Sequence, residues 1–314
     1  NATRFALLKL QDGYQPLCLA DQDKFVPQSL VEKWILHRLN QTAQQLNQDM
    51  LQRSFMSATS CVYNFWLYDL CDVYIEAIKP ITDAGADPSA RLSAQHTLYA
   101  CLDAGLKLLH PFMPFVTEEL WHRLPQRPQE TAETIAHARF PEWQAVHDFG
   151  KEAAHFDDVF ATVRAVRGLA ADYGLTSQIQ AFVEVPNNEY RAVLESQCSV
   201  MHTLIKGCEK IVCVPAASDV PPGCVVASVS SSIQVHLLVS GLVDFDQELS
   251  KLAKKLTLNE TQLQRTTALT QKPDWSKTPE DVRAHTQKRL DDLEAEKAAL
   301  LQAQANFDKL RSSA

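Results

Sequence analysis

Glycine is scarce in this chain, nine of 314 residues, less than half the usual ~7%. That shortage excludes folds built on glycine-rich phosphate loops, and neither G-x-G-x-x-G nor G-x-x-x-x-G-K-[ST] occurs. The eight cysteines (Cys18, Cys61, Cys71, Cys101, Cys198, Cys208, Cys213 and Cys224) include no C-x-x-C pair. Set among apolar neighbours, they read as reduced thiols of an intracellular protein and argue against a zinc site. The ten histidines form no H-E-x-x-H or other ligand-spaced cluster, so metal-dependent hydrolysis has no support. No apolar run approaches the roughly 18 residues a membrane span needs. A signal peptide is also missing, so the Asn-x-Thr triplets at Asn1, Asn40 and Asn259 read as chance. Positive charge is in deficit as well: 30 Lys and Arg stand against 38 Asp and Glu, a net −8. A nucleic-acid partner therefore has to be held by a local patch rather than by the overall field.

What is present is a hydrophobic content of 46%, enough for two or three modest domains. Asn1-Ala2-Thr3-Arg4-Phe5-Ala6-Leu7-Leu8 has helical spacing without an initiating Met, which reads as the downstream part of a longer polypeptide. Ser29-Leu30-Val31-Glu32 is a capping box, followed by Val31, Ile35, Leu39, Leu46 and Met50 at helical spacing. A second helix is expected from about Ser54 to Lys79, with Phe55, Ala58, Val62, Phe65, Trp66, Val73, Tyr74 and Ala77 inward and Pro80 closing it. A third begins near Ser89 and carries Leu92, Leu98, Leu102, Leu106 and Leu109. Another starts at Thr117 with an acidic first turn. The fold class is therefore mainly α, with an antiparallel helical bundle over residues 1–175.

Residues 176–240 change character. Phe182 to Val185, Ile211 to Val214, Cys224 to Ala227 and Ile233 to Leu237 are β-branched runs, and a helix-like stretch from Tyr190 to Lys206 completes a small β-α-β-β unit. It is too short for a large catalytic cleft. Residues 241–314 read as a C-terminal antiparallel coiled-coil hairpin. Leu249, Leu252, Leu256, Asn259 and Leu263 form one arm, and Leu290, Leu293, Lys297, Leu300, Gln304 and Phe307 the other. Its loop tip holds Lys272, Trp275 and Lys277 around two prolines. Residues 247–314 alone lean basic, with 12 Lys and Arg against 10 Asp and Glu.

Candidate chemistry is sparse. Asp69, Asp72 and Glu76 fall at i, i+3 and i+7, where carboxylates serve as acid and base or, as such rows usually do, as a solvated, ion-paired face. Ser228 and Ser230 to Ser232 read as a polar turn, because the G-x-S-x-G elbow is missing. Trp34 lies at the edge of the apolar stripe with Lys33 beside it and Arg38 one turn on. Such a trio suits unstacked bases, a ring for stacking and cations for phosphates, although a tryptophan in that position is more often core. The coiled-coil cations, Lys254 and Arg265 among them, form either a solvated face or phosphate contacts.

Several longer runs carry a resemblance. Asn1 to Phe5, Trp34 to Leu39, the F-W-L-Y-D-L-C-D-V-Y-I-E-A-I-K-P run of Phe65 to Pro80 and the L-H-P-F-M-P-F-V-T-E-E-L-W run of Leu109 to Trp121 resemble the anticodon-binding region of class I valyl-tRNA synthetases. With Gly241-Leu242-Val243-Asp244 leading into the hairpin, the resemblance covers nearly the whole chain and has a eukaryotic, cytosolic flavour. It implies a bundle that receives the splayed anticodon loop of the tRNA for valine, an α/β spacer, and a coiled coil leaning on the outer corner of the tRNA. Arg4, Trp34 and Arg38 match the family's anticodon face; Lys33 joins them only by its place beside Trp34. Coiled-coil contacts vary in position within the family, so Lys254, Arg265 and Lys277 are expected from the charge of this sequence and are not carried over. The family's H-I-G-H and K-M-S-K-S type motifs do not occur, so the resemblance places ATP, magnesium and catalysis in upstream catalytic and editing domains of the same polypeptide. It implies no cofactor and no activity for this chain alone, no membrane, and an elongation-factor or synthetase assembly as a further partner of the parent. A helical scaffold whose coiled coil docks a protein is the alternative.

Overall fold

The computed structural model describes residues 2–240 apart from 11, 12, 19, 20, 22, 23, 84 and 129, the helix 245–270, and positions 283, 286, 287, 289, 290, 293, 294, 297 and 301. Helix α1 is Ala2–Lys9 and α2 is Leu30–Leu51. The capping box forms as expected: Ser29 Oγ accepts from the Glu32 N–H, and Glu32 Oε2 accepts from the Ser29 N–H at 3.1 Å. Glu32 is itself buried, and Ser93 donates to it at 2.7 Å, so the cap also pins α2 to the helix that carries Ser93.

The second helix differs from its expectation. Helix α3, Phe55–Asn64, passes into a π-helical segment, Phe65–Ile75. Pro80 sits in the first turn of a short new helix, α4, Lys79–Thr82, rather than ending an old one. Hydrogen bonding from i to i+5 widens each turn, so a stripe drawn at 3.6 residues drifts. Phe65, Val73, Tyr74 and Ala77 are buried, but Phe55 is 56% exposed. The segment packs on α5, Pro88–Leu109, at a glycine. A Cβ on Gly105 would lie 3.1 Å from the Trp66 ring, whose N–H bonds the Gly105 carbonyl at 3.2 Å. Asp87 caps α5 by accepting from the Ala90 N–H. Leu98, Leu102 and Leu106 are sealed, whereas Leu92 is 48% exposed although Ser93 and Ala94 beside it are buried, so it lies on the open face of α5.

Helix α6 is Pro114–Trp121 and α7 is Gly150–Asp172. A buried ionic cluster ties α5, α6 and the loop after α6 together. Asp103 bonds Lys107 at 2.9 Å, Arg127 at 3.0 Å and the Trp121 N–H at 2.9 Å. Helix α7 packs along α2 and also against the sheet, joining the bundle to the smaller α/β unit.

The sheet is made of β1 (Ile179–Glu184), β2 (Cys208–Val214), β3 (Cys224–Ser228) and β4 (Gln234–Leu238), in the order β2-β1-β4-β3. Between β1 and β2 come α8 (Asn188–Ser196) and α9 (Cys198–Leu204). They provide the crossover that the parallel β1–β2 pair requires, while β1–β4 and β3–β4 are antiparallel. The serines after β3 form the expected polar turn, with Ser228 Oγ donating to the Ser230 carbonyl. Helix α10 spans Phe245–Thr270. Asn259, 4% exposed on it, donates to the Leu293 carbonyl at 3.2 Å, and Lys297 pairs with Glu260 at 2.8 Å. Two of the Asn-x-Thr asparagines, Asn40 and Asn259, are thus buried.

Candidate nucleic-acid interface

Helix α2 has two faces. Val31, Ile35, Leu39 and Leu46 point into the core. Opposite them Gln41, Gln44, Gln45 and Gln48, at i, i+3, i+4 and i+7, are all exposed and form a row of side-chain amides. Gln41, Gln44 and Gln45 line one wall of an open cleft of about 390 Å³, with Arg38 at its end and Asn64 and Asp69 from α3 and the π-helical segment across from them. Beside Asn64, Tyr63 makes an edge-on pair with Tyr68 at 6.0 Å, and the two are 57% and 53% exposed.

The electrostatics of the cleft are mixed. Arg38 bonds Asp157 of α7 at 2.7 Å. Burial pushes the Asp69 carboxyl up to about 6; Arg38 opposes that shift and Asp157 adds to it. A phosphate placed here would face two carboxylates. Each glutamine or asparagine amide offers both a donor and an acceptor, the pairing that an unpaired adenine edge can take up.

Trp34 requires a correction. It is 2% exposed, lies 5.0 Å from the Phe156 ring, and donates its N–H to Asp157 at 2.9 Å. Helix α7 covers the edge of the stripe that looked open in the sequence, so this ring is core and no base can stack on it. Lys33 is likewise turned to α7, pairing with Glu152 at 3.4 Å. Arg38 remains on the cleft. Arg4 is exposed on α1, a helix that lies against α5. The structure brings Lys33, Trp34 and Arg38 together through carboxylates of α7 but does not bring Arg4 to them. Lys254 and Arg265 are exposed on α10, and Lys277 lies outside the described residues. The Asp69, Asp72 and Glu76 row is split: Asp69 is in the cleft wall, Asp72 faces solvent and Glu76 bonds Lys79. Among the described residues no group of three or more His, Cys, Asp or Glu could hold a metal, and no helix is long and apolar enough to cross a membrane.

The cleft residues from Arg38 to Asp69 fall inside a family match. Residues 32–185 match the family described as the anticodon-binding domain of tRNA ligase. The chain belongs to the valine–tRNA ligase family and carries its anticodon-binding domain. It is 42% identical over 256 residues to the mitochondrial valine–tRNA ligase of Saccharomyces cerevisiae, covering 82% of this chain and 23% of that one. It is 36% identical over 313 residues to the valine–tRNA ligases of Mus musculus and Homo sapiens, covering 99% of this chain and 24% of each relative. The chain therefore spans about a quarter of the length of these relatives. The glutamine row was open to sequence reasoning through its spacing alone; a search for cations and rings passes over it.

Proposed function

We propose that this chain is the tRNA-gripping portion of a valine–tRNA ligase, which joins valine to its tRNA with ATP and magnesium in catalytic and editing domains elsewhere in the same polypeptide. The amide-lined cleft between α2 and α3 takes splayed bases of the anticodon loop. One observation carries this reading: Gln41, Gln44, Gln45 and Asn64 converge with Arg38 on one cleft inside the segment that matches the anticodon-binding family. The exposed Tyr63 and Tyr68 take over the stacking role. Arg4, Lys254, Arg265 and Lys277 serve phosphates instead. Contacts far from the reacting groups orient the acceptor end and so raise the rate of the chemistry.

The Asn259–Leu293 and Glu260–Lys297 contacts support a C-terminal antiparallel coiled-coil hairpin over 241–314 that leans on the tRNA corner, after a bundle over 1–175 and a spacer over 176–240. The eight free thiols support a reducing, cytoplasmic setting. An elongation-factor or synthetase assembly is a further proposed partner of the parent. The test is a gel shift with tRNA for valine. Replacing Gln41, Gln44 and Gln45 together by Ala should weaken binding at least tenfold, with the Tm falling only by what the lost 3.0 Å bond from Gln45 to the buried Asp49 costs. Replacing Lys254 and Arg265 should flatten the salt dependence, since fewer counterions are released. A triple variant that binds like its parent overturns the cleft assignment.

A further inference from the structure

The sheet holds a thiol pair that tRNA binding does not use. Cys198 opens α9, Cys213 lies in β2, and their sulfurs approach to 4.0 Å across 15 residues of sequence. Cys213 is 7% exposed, while Cys198 is half-buried and within reach of a small solute. The contact is polarised. The hydrogen bond between the two sulfurs holds the Cys198 thiol below its usual range and, with burial, pushes Cys213 upward. Cys198, the more exposed sulfur, is the one a solute reaches first, and the buried Cys213 is its partner. Cys101, by contrast, is sealed in the bundle and pushed upward by burial alone.

We propose that Cys198 and Cys213 are a modification site, a dithiol that hydrogen peroxide converts to a reversible disulfide tying α9 to β2. The Cys198 thiolate attacks one peroxide oxygen, the O–O bond breaks, and the departing hydroxide takes a proton and leaves as water. Cys198 is then a sulfenic acid. The Cys213 sulfur attacks it, the S–S bond forms as the S–O bond breaks, and a second water leaves with the Cys213 proton. Two thiols lose two electrons and one peroxide gains them. The sulfurs must close from 4.0 Å to a bond of ~2.05 Å. Rotation about the Cα–Cβ bonds of Cys198 and Cys213 supplies that movement. The bond closes a loop around α9, whose last carbonyl, that of Leu204, is already held by Arg167 of α7.

The test uses the chain as purified, reduced and then exposed to hydrogen peroxide, with a proteolytic map under non-reducing conditions. The expected result is one cross-linked peptide joining Cys198 to Cys213, lighter by two hydrogens, restored by dithiothreitol and accompanied by a higher Tm. In the Cys213→Ser variant the same treatment should leave a sulfenic acid at Cys198 that dimedone traps. Both thiols remaining open to alkylation after peroxide would overturn the proposal. So would a cross-link to Cys208 or Cys224 instead. The wild-type map needs no variant to fold, so it decides the matter alone.

Discussion

Trp34 separates a core role from a binding role, and replacing it by Phe and by Ala measures both. The ring is 2% exposed against Phe156, and truncating a sealed tryptophan to Ala costs ~3–5 kcal/mol. Phe keeps most of the packing but loses the 2.9 Å bond from the indole N–H to Asp157. A hydrogen bond to a charged acceptor is worth ~1.5–3 kcal/mol. Asp157 is 47% exposed and keeps Arg38 as a partner, so the low end applies and Trp34→Phe should cost about 1–2 kcal/mol. Urea unfolding gives both stabilities, and a gel shift at a temperature where the variants remain folded gives tRNA affinity. The expected pattern is a graded loss of stability, with tRNA affinity of the folded Phe variant within about twofold of the parent. Unchanged stability together with a tenfold loss of tRNA affinity would show that the ring faces a base after all.

Asp103→Asn should destabilise the chain by about 3–5 kcal/mol, because Lys107 and Arg127 would stay buried without their counter-charge. Burial alone would raise the Asp103 carboxyl, but Lys107 and Arg127, with bonds from Lys107 and Trp121, bring it below its ordinary value. Its stabilisation is therefore present above the unfolded carboxylate value and lost as pH falls through the folded one; acid melts should show that step in the parent and not in the variant. Asp69 has the opposite sign. Its folded value is pushed up to about 6, so its contribution is full below the unfolded value near 3.8 and is lost as pH rises through about 6. Asp69→Asn should therefore gain about 1–2 kcal/mol at pH 7 after allowance for solvent screening. It should also flatten the change in tRNA affinity between pH 5 and 7, which titration by gel shift would read.

Local chemistry made much of this fold legible. The Ser29–Glu32 box marks the start of α2 to the residue because its signal is complete within four positions, and the β-branched runs found all four strands. The π-helical winding of Phe65–Ile75 was not legible. Its hydrogen-bond shift goes with packing on Gly105, 39 residues from Trp66 in sequence, and Phe55, the first residue of α3, lies beyond the part of that helix that the core covers. Trp34 failed for the same reason: its lid, Phe156 and Asp157, comes from a helix more than a hundred residues downstream. Family resemblance singled out Trp34 on α2, a ring that the fold seals inside the bundle. The exposed amides Gln41, Gln44 and Gln45 needed only helical spacing, and their partners Asn64 and Asp69 needed the fold.

The central claim is that anticodon bases enter the cleft between α2 and α3. Placing a photo-activated benzoylphenylalanine at Gln44, irradiating the complex with tRNA for valine and sequencing the attached nucleotides tests it directly. Cross-links confined to the anticodon loop are the predicted result; cross-links to the acceptor stem or the outer corner, or none from a complex that forms normally, would contradict it.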